Sequence, residues 1–143
     1  MKLLILLVTL CLSPITLLAQ TPPVPLQAAD VVLADLLYVN RAVVVFADSP
    51  EDPNFQRQMA LIARDTGDLA ARDVLVIVDT DPAAATAVRT ALRPRGFSLV
   101  LLEKDGKAVL RKPLPWDLRE ITHAIDKSPL RWQEVLERNP SGR

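Results

Sequence analysis

Short apolar runs and helical apolar stripes alternate along this chain. Ala42 to Ala47 and Val74 to Val78 are continuous apolar runs, and Phe97 to Leu102 follows them as a third. Runs of that length, bounded by turn residues, predict buried strands. The first breaks abruptly into D-S-P-E-D-P at Asp48 to Pro53, so Ala42 to Pro53 reads as a parallel strand delivering a loop to a helix N-terminus. In open α/β sheets such corners are where ligands usually bind. Phe55, Met59, Ile62, Thr66 and Leu69 recur at steps of 4, 3, 4 and 3, which predicts one helix running to about Arg72. Asp79-Thr80-Asp81-Pro82 supplies a cap followed by proline at the first helical position, and Ala84, Val88, Ala91 and Leu92 form the inner face of the helix it opens.

Arg93-Pro94-Arg95-Gly96 ends that helix, and Asp105-Gly106 predicts a hairpin into a fourth strand near Lys107 to Arg111. Pro113 and Pro115 break the sheet. Trp116, Asp117, Glu120 and Ile121 have the form of a capping box with a hydrophobic staple, opening a helix with Leu118, Ile121 and Ile125 inward. Ser128-Pro129 starts a last short helix carrying Leu130, Val135 and Leu136, stopped by Asn139-Pro140. Near the start, Asp30 is expected to cap a short helix whose apolar face is Val32, Leu33, Leu36 and Leu37. This alternation, closed by a hairpin, predicts an α/β fold: a three-layer sandwich with a mixed four-stranded sheet and flanking helices.

Composition changes little in this picture. At 143 residues, 50% hydrophobic and 24% charged, the chain suits one folded domain. Its 17 basic and 17 acidic residues balance, so no overall field favours nucleic acid or anionic lipid.

The N-terminus carries more information. Lys2, the apolar run Leu3 to Leu12 and Leu17-Leu18-Ala19 before Gln20 form a secretory signal peptide over residues 1–19, cut after Ala19. The rival reading, an uncleaved anchor, has a run short of the ~20 apolar residues that a span needs, and the stretch contains Pro14. Leu10 before Cys11 is too large for a lipid-attachment site. The expected organisation is therefore signal peptide 1–19, Pro-rich linker 20–29, domain 30–137 and tail 138–143. Cleavage removes Lys2 and no acid, leaving 16 basic against 17 acidic residues. It also removes Cys11, the single cysteine. The expected mature chain sits in the periplasm or outside the cell, has no membrane span, and lacks both disulfide staples and thiol chemistry.

The element order β-α-β-α-β-β-α resembles thioredoxin, and Val43 to Ala47, V-V-V-F-A, is similar to the strand leading into the thioredoxin active-site loop. Closer still is the resemblance to the thioredoxin-like domain of unknown function named DUDES, found in bacterial secreted proteins and in animal extracellular-matrix and sushi-repeat proteins. It rests on Arg41 before the strand, Gln58 in the following helix, Arg72-Asp73, and I-D-K-S-P-L-R-W-Q-E at Ile125 to Glu134. The last is similar to an Ile-Asp-x-Met-Pro-Met-Arg-x-x-Glu ending, matched here at Ile125, Asp126, Pro129, Arg131 and Glu134, with Ser128 and Leu130 in place of Met. The resemblance spans about Asp30 to Glu137. It implies a fold without redox catalysis, because Asp48 to Pro53 has no cysteine and Phe97 opens the strand where thioredoxins carry their substrate-contacting proline.

Two acidic clusters, Asp48, Glu51 and Asp52 and then Asp79 and Asp81, leave the same sheet edge if their strands are parallel neighbours. Five carboxylates there would suit a hard cation. Capping explains them as well: Ser49 to Asp52 reads as a capping box, Asp81 or Thr80 caps the next helix, and Arg93 and Arg95 arrive beside the acids to pair with them. The spacing fits no EF-hand, and no zinc pattern, phosphate loop or RNA-binding aromatic motif is present, so no metal or cofactor is expected. His123 faces water without a dyad partner, and Trp116 and Trp132 read as packing residues. Arg72-Asp73 and Asp126 with Arg131 read as structural pairs docking the last segment. The functional expectation is a non-catalytic protein-binding or scaffolding module whose partner is an extracytoplasmic protein, with a thiol-independent enzyme or cation-binding protein using the acidic clusters as the alternative.

Overall fold

The computed structural model describes residues 24–139; the expected signal peptide and the end of the expected tail lie outside them. Five strands, β1 (Leu26–Gln27), β2 (Arg41–Phe46), β3 (Val74–Asp79), β4 (Ser98–Leu102) and β5 (Ala108–Lys112), form one sheet in the order β1-β3-β2-β4-β5. β2 runs parallel to β3 and antiparallel to β4, with Val44 opposite Ile77 on one side and Val100 on the other. All six residues of β2 are buried. Val43 and Val45 enter one core, with Ile62, Leu69, Ile121 and Ile125, whereas Ala42, Val44 and Phe46 enter the other, with Ala28 and Val88. A continuous apolar run is what a central strand with two covered faces requires, each large side chain contributing about 1.5–3 kcal/mol on burial.

The helices are α1 (Pro53–Ala63), α2 (Thr66–Ala70), α3 (Ala87–Leu92), α4 (Leu118–Asp126) and α5 (Pro129–Arg138). Four local expectations change. The sheet has a fifth strand, because Leu26 and Gln27, inside the stretch read as linker, pair with Ile77 and Val78. The short helix expected after Asp30 is instead two 3-10 turns, Ala28–Asp30 and Leu33–Leu36. The single helix to Arg72 is two: Asp65 adopts φ −154° and its side chain caps α2 by accepting from Asp68 N, so the apolar stripe continues while the backbone breaks. After Pro82 only a 3-10 turn forms; Ala85 turns left-handed at φ +44°, and Thr86 caps α3.

α1 is capped by Asp52, which accepts from Asn54 N and Phe55 N, while Ser49 Oγ accepts from Glu51 N. The capping box read at Ser49 to Asp52 is therefore a single cap on Asp52 preceded by a serine turn. Asp117 caps α4 through Arg119 N, and Trp116 packs against the core that holds Ile121. Trp132, read as a packing residue, lies on the outer face of α5 and is 68% exposed.

Candidate functional site

Arg41 begins β2 where the strand passes into the core, and its side chain is fully buried. A guanidinium cannot shed its charge, so it is stable there only with its donors engaged. Nε donates to Glu103 Oε2 at 2.8 Å, Nη1 to the Arg72 carbonyl at 3.0 Å, and Nη1 and Nη2 together grip both oxygens of Glu134 at 3.2 and 3.1 Å. Arg41 thereby ties the central strand, the β4–β5 hairpin, the turn before β3 and α5 to one point.

Further pairs extend outward. Lys104 Nζ lies 2.9 Å from Asp73 and 3.0 Å from Glu134, and Arg131 Nη1 reaches Glu134 at 3.2 Å. Arg72 grips both oxygens of Asp126 at 2.8 Å, and Arg138 reaches Asp73 at 2.9 Å. Asp73 is left-handed at φ +56°, which presents its carbonyl to Asn40 Nδ2 and Arg41 N. Burial pushes the Glu134 carboxyl up, but hydrogen bonds from Arg41, Lys104 and Arg131 outweigh it and lower its pKa to about 2. The hydrogen bond and charge of Lys104 lower Asp73, those of Arg72 lower Asp126, and Asp126 in turn raises Arg72.

The motif residues Arg41, Arg72, Asp73, Asp126, Arg131 and Glu134, scattered over 93 positions, are thus one network. Ile125 anchors α4 in the core, and Pro129 is the first residue of α5 after the Ser128 cap. Gln58 stands apart. Fully buried, it clamps the main chain of Trp116, accepting from its N–H at 2.7 Å and donating to its carbonyl at 3.0 Å. Glu103, Lys104 and Arg138 were not read from the sequence. Glu103 could have been, because it extends β4 to face Arg41 across an antiparallel pair, and opposite charges there attract.

The acidic corner is less convergent. Asp79 is buried at the end of β3 and is engaged by Arg89 Nη2 at 2.7 Å and Thr86 Oγ1 at 2.7 Å. Burial pushes its carboxyl up, and those two hydrogen bonds outweigh the effect and lower it. Arg89 also lies 5.4 Å from the Phe46 ring centroid, a cation–π distance. The expected pairing of these acids with Arg93 and Arg95 is not found. Among the described residues neither arginine joins an ion pair; both line a shallow basic hollow with Phe97, Ser98 and Arg111. Arg89 supplies the charge instead, because α3 starts only after the left-handed Ala85 and brings its first turn over the strand end. Asp81 caps the 3-10 turn through Ala83 N, Asp52 caps α1, and Asp48 and Glu51 are exposed. Among the described residues, no three His, Cys, Asp or Glu side chains are grouped to hold a metal ion. His123 is exposed.

The model of a domain of unknown function (DUF4174) matches residues 32–134. The chain belongs to the DUF4174 family. The match covers the whole Arg41 network except Arg138. Among curated proteins none matches this DUF4174 chain. Among solved structures it is similar to chloroplastic thioredoxin z, at 18% identity and TM-score 0.54, over 73% of this chain and 96% of the other. That likeness establishes the thioredoxin-like fold.

Proposed function

We propose that this DUF4174 chain is an exported, non-catalytic thioredoxin-like module that binds another extracytoplasmic protein, with α5 as its docking face. The observation that carries the reading is the pairing of an ion-paired inner face with an apolar outer one. Arg131 and Glu134 hold α5 to the Arg41 network, while Trp132, Val135 and Leu136 project outward, each more than two-fifths exposed. An aromatic anchor on a helix pinned through its inner face by ion pairs loses less entropy on binding than one on a free segment, which is the form of an interface hot spot. Export rests on the sequence of residues 1–19, and the DUDES-type relation rests on Arg41, Gln58, Arg72-Asp73 and Ile125 to Glu134, a segment that runs from the end of α4 into this helix. The alternative, cation or thiol-independent chemistry at the acidic corner, lacks its central carboxylate, since Asp79 is already neutralised by Arg89.

Tagged full-length protein, captured from the periplasm or culture medium of its expressing cell, tests the reading. The expected N-terminus of the recovered chain is Gln20. Wild type retains a partner, and Trp132→Glu loses it with unchanged thermal stability, because the side chain it replaces touches mostly solvent. Capture that is indifferent to Trp132→Glu, or recovery of no partner at all, sinks the proposal.

A further inference from the structure

The turn between α3 and β4, together with the end of β5, borders a shallow hollow of about 530 Å³. Arg93, Arg95 and Arg111 line it, and no acidic residue does. Arg93 and Arg95 are exposed, and among the described residues neither side chain joins an ion pair. Arg111 Nη2 donates to the Leu92 carbonyl at 2.7 Å, which answers the negative end of α3 and leaves the rest of its guanidinium open to the hollow. Asp48 approaches the turn, its Oδ2 4.0 Å from where a Cβ on Gly96 would stand, but it is outside the lining.

The fold does not ask for these charges. Arg93 is left-handed at φ +48°, and its N–H closes α3 by donating to the Arg89 carbonyl at 2.8 Å. Glycine makes that turn most cheaply, and the turn needs nothing from a guanidinium. A single unpaired surface arginine is ordinary. Three around one hollow repel one another, and an anion seated among them relieves the repulsion.

The donors also select the anion. One guanidinium fork takes up both oxygens of a carboxylate, as Arg72 does with Asp126, so a carboxylate would satisfy one arginine and leave two. A phosphoryl group carries close to two negative charges at neutral pH and has more acceptor oxygens, so it can take donors from several forks at once. Leu92 and Pro113 present apolar surface beside the arginines. The volume is over three times the ~150 Å³ that encloses a benzene ring, which leaves space for an organic body next to the phosphoryl group.

We propose that this hollow binds a small phosphomonoester, its phosphoryl oxygens accepting from Arg93, Arg95 and Arg111 and its organic body lying against Leu92 and Pro113. No residue of α5 lines the site, so it stands or falls separately from the protein-docking face.

Phenyl phosphate, inorganic phosphate and benzoate separate the contributions: a phosphoryl group with a ring, a phosphoryl group alone, and a carboxylate with a ring. Each is titrated into isotopically labelled full-length protein, near neutral pH in a phosphate-free buffer, and followed by NMR at the arginine Nε–H groups and the Gly96 and Ser98 amides. Phenyl phosphate is expected to shift the Nε–H signals of all three arginines and to bind at least about tenfold more tightly than benzoate, the share of one further hydrogen bond to a charged group. Inorganic phosphate is expected to shift the same signals with lower affinity, for want of the ring. Arg93→Gln/Arg95→Gln changes two exposed side chains, and it is expected to weaken phenyl phosphate at least about tenfold while leaving the amide spectrum outside the turn in place. The proposal is overturned if phenyl phosphate shifts none of the three arginines, or if its affinity survives the double substitution. Equal affinity for benzoate overturns it in favour of a carboxylate ligand, and equal affinity for inorganic phosphate in favour of the free anion.

Discussion

Arg41 is one polar residue at the mouth of an all-apolar strand, and its burial makes its partners obligatory. Removing one member of a buried pair costs about 3–5 kcal/mol, because the other is left charged without a counterion, whereas replacing both with apolar groups is often close to neutral. Arg41→Met is therefore expected to destabilise the protein by about that much in urea unfolding, with Glu103 the group left stranded. Arg41→Met/Glu103→Leu should regain a substantial part of the loss. Strict additivity of the two substitutions would show that the 2.8 Å contact carries no coupling. Such residues were legible as types and positions. Arg41, Arg72, Asp126 and Glu134 stand out as charges beside apolar segments, but their mutual partners are not, since any of several arrangements satisfies the same residues. Arg89 shows why. Nothing in its neighbourhood distinguishes it from Arg93 or Arg95, yet it alone meets Asp79, because α3 begins where it does.

Among the elements, strands were read almost to the residue and helices less well. A strand buried on both faces announces itself by composition, whereas helical periodicity persists through a backbone break when the stripe is kept. Phe55 to Leu69 is such a case: the steps are regular, yet Asp65 closes one helix and caps the next. β1 was missed because two exposed residues carry no pattern of their own and join the sheet only through the main chain of β3. Gln58 belongs to this scale, since it fastens α1 to the segment entering α4. Gln58→Leu keeps the volume but leaves the Trp116 N–H and carbonyl without partners, each worth about 1–3 kcal/mol when buried. Stability in urea is expected to fall by on the order of 2 kcal/mol, with near-ultraviolet dichroism at the tryptophans reduced. Wild-type stability in this variant would mean that α4 is held by the apolar core alone.

For the molecule as a whole, the network converts acid into loss of stability. Glu134 has an ordinary pKa of 4.5 and one of about 2 in the fold. The unfolded chain therefore takes up its proton first, and stability rises with pH across that interval. The contribution is complete above 4.5 and is lost as pH falls toward 2. Asp73, Asp79 and Asp126 are lowered too and act in the same direction. Glu134→Gln should be less stable than wild type at neutral pH and show a shallower decline on acidification, measured as urea midpoints from pH 6 to pH 2; the interval spans the two values of Glu134. Equal slopes for the two proteins would exclude Glu134 as a source of the acid sensitivity. Glu134 lies on α5 and fastens it to Arg41, so the partner binding proposed for Trp132 should weaken over the same interval.

By itself the sequence determined the central strands, the hairpin at Asp105-Gly106, the α/β layering and the lack of a cysteine in the loop Asp48 to Pro53. These follow from composition and spacing, which act over a few residues and need no partner. It also marked the charged residues of the motif. Tertiary structure alone decided that they form one network, that Arg89 rather than Arg93 or Arg95 neutralises Asp79, that Trp132 faces outward, and that Glu103 is buried against Arg41 with one oxygen unmet. Each of these depends on where residues tens of positions apart come to rest. A side chain's need for a partner is written in its chemistry, but which partner it meets is set by strand register and helix start, and those emerge only when the whole core packs.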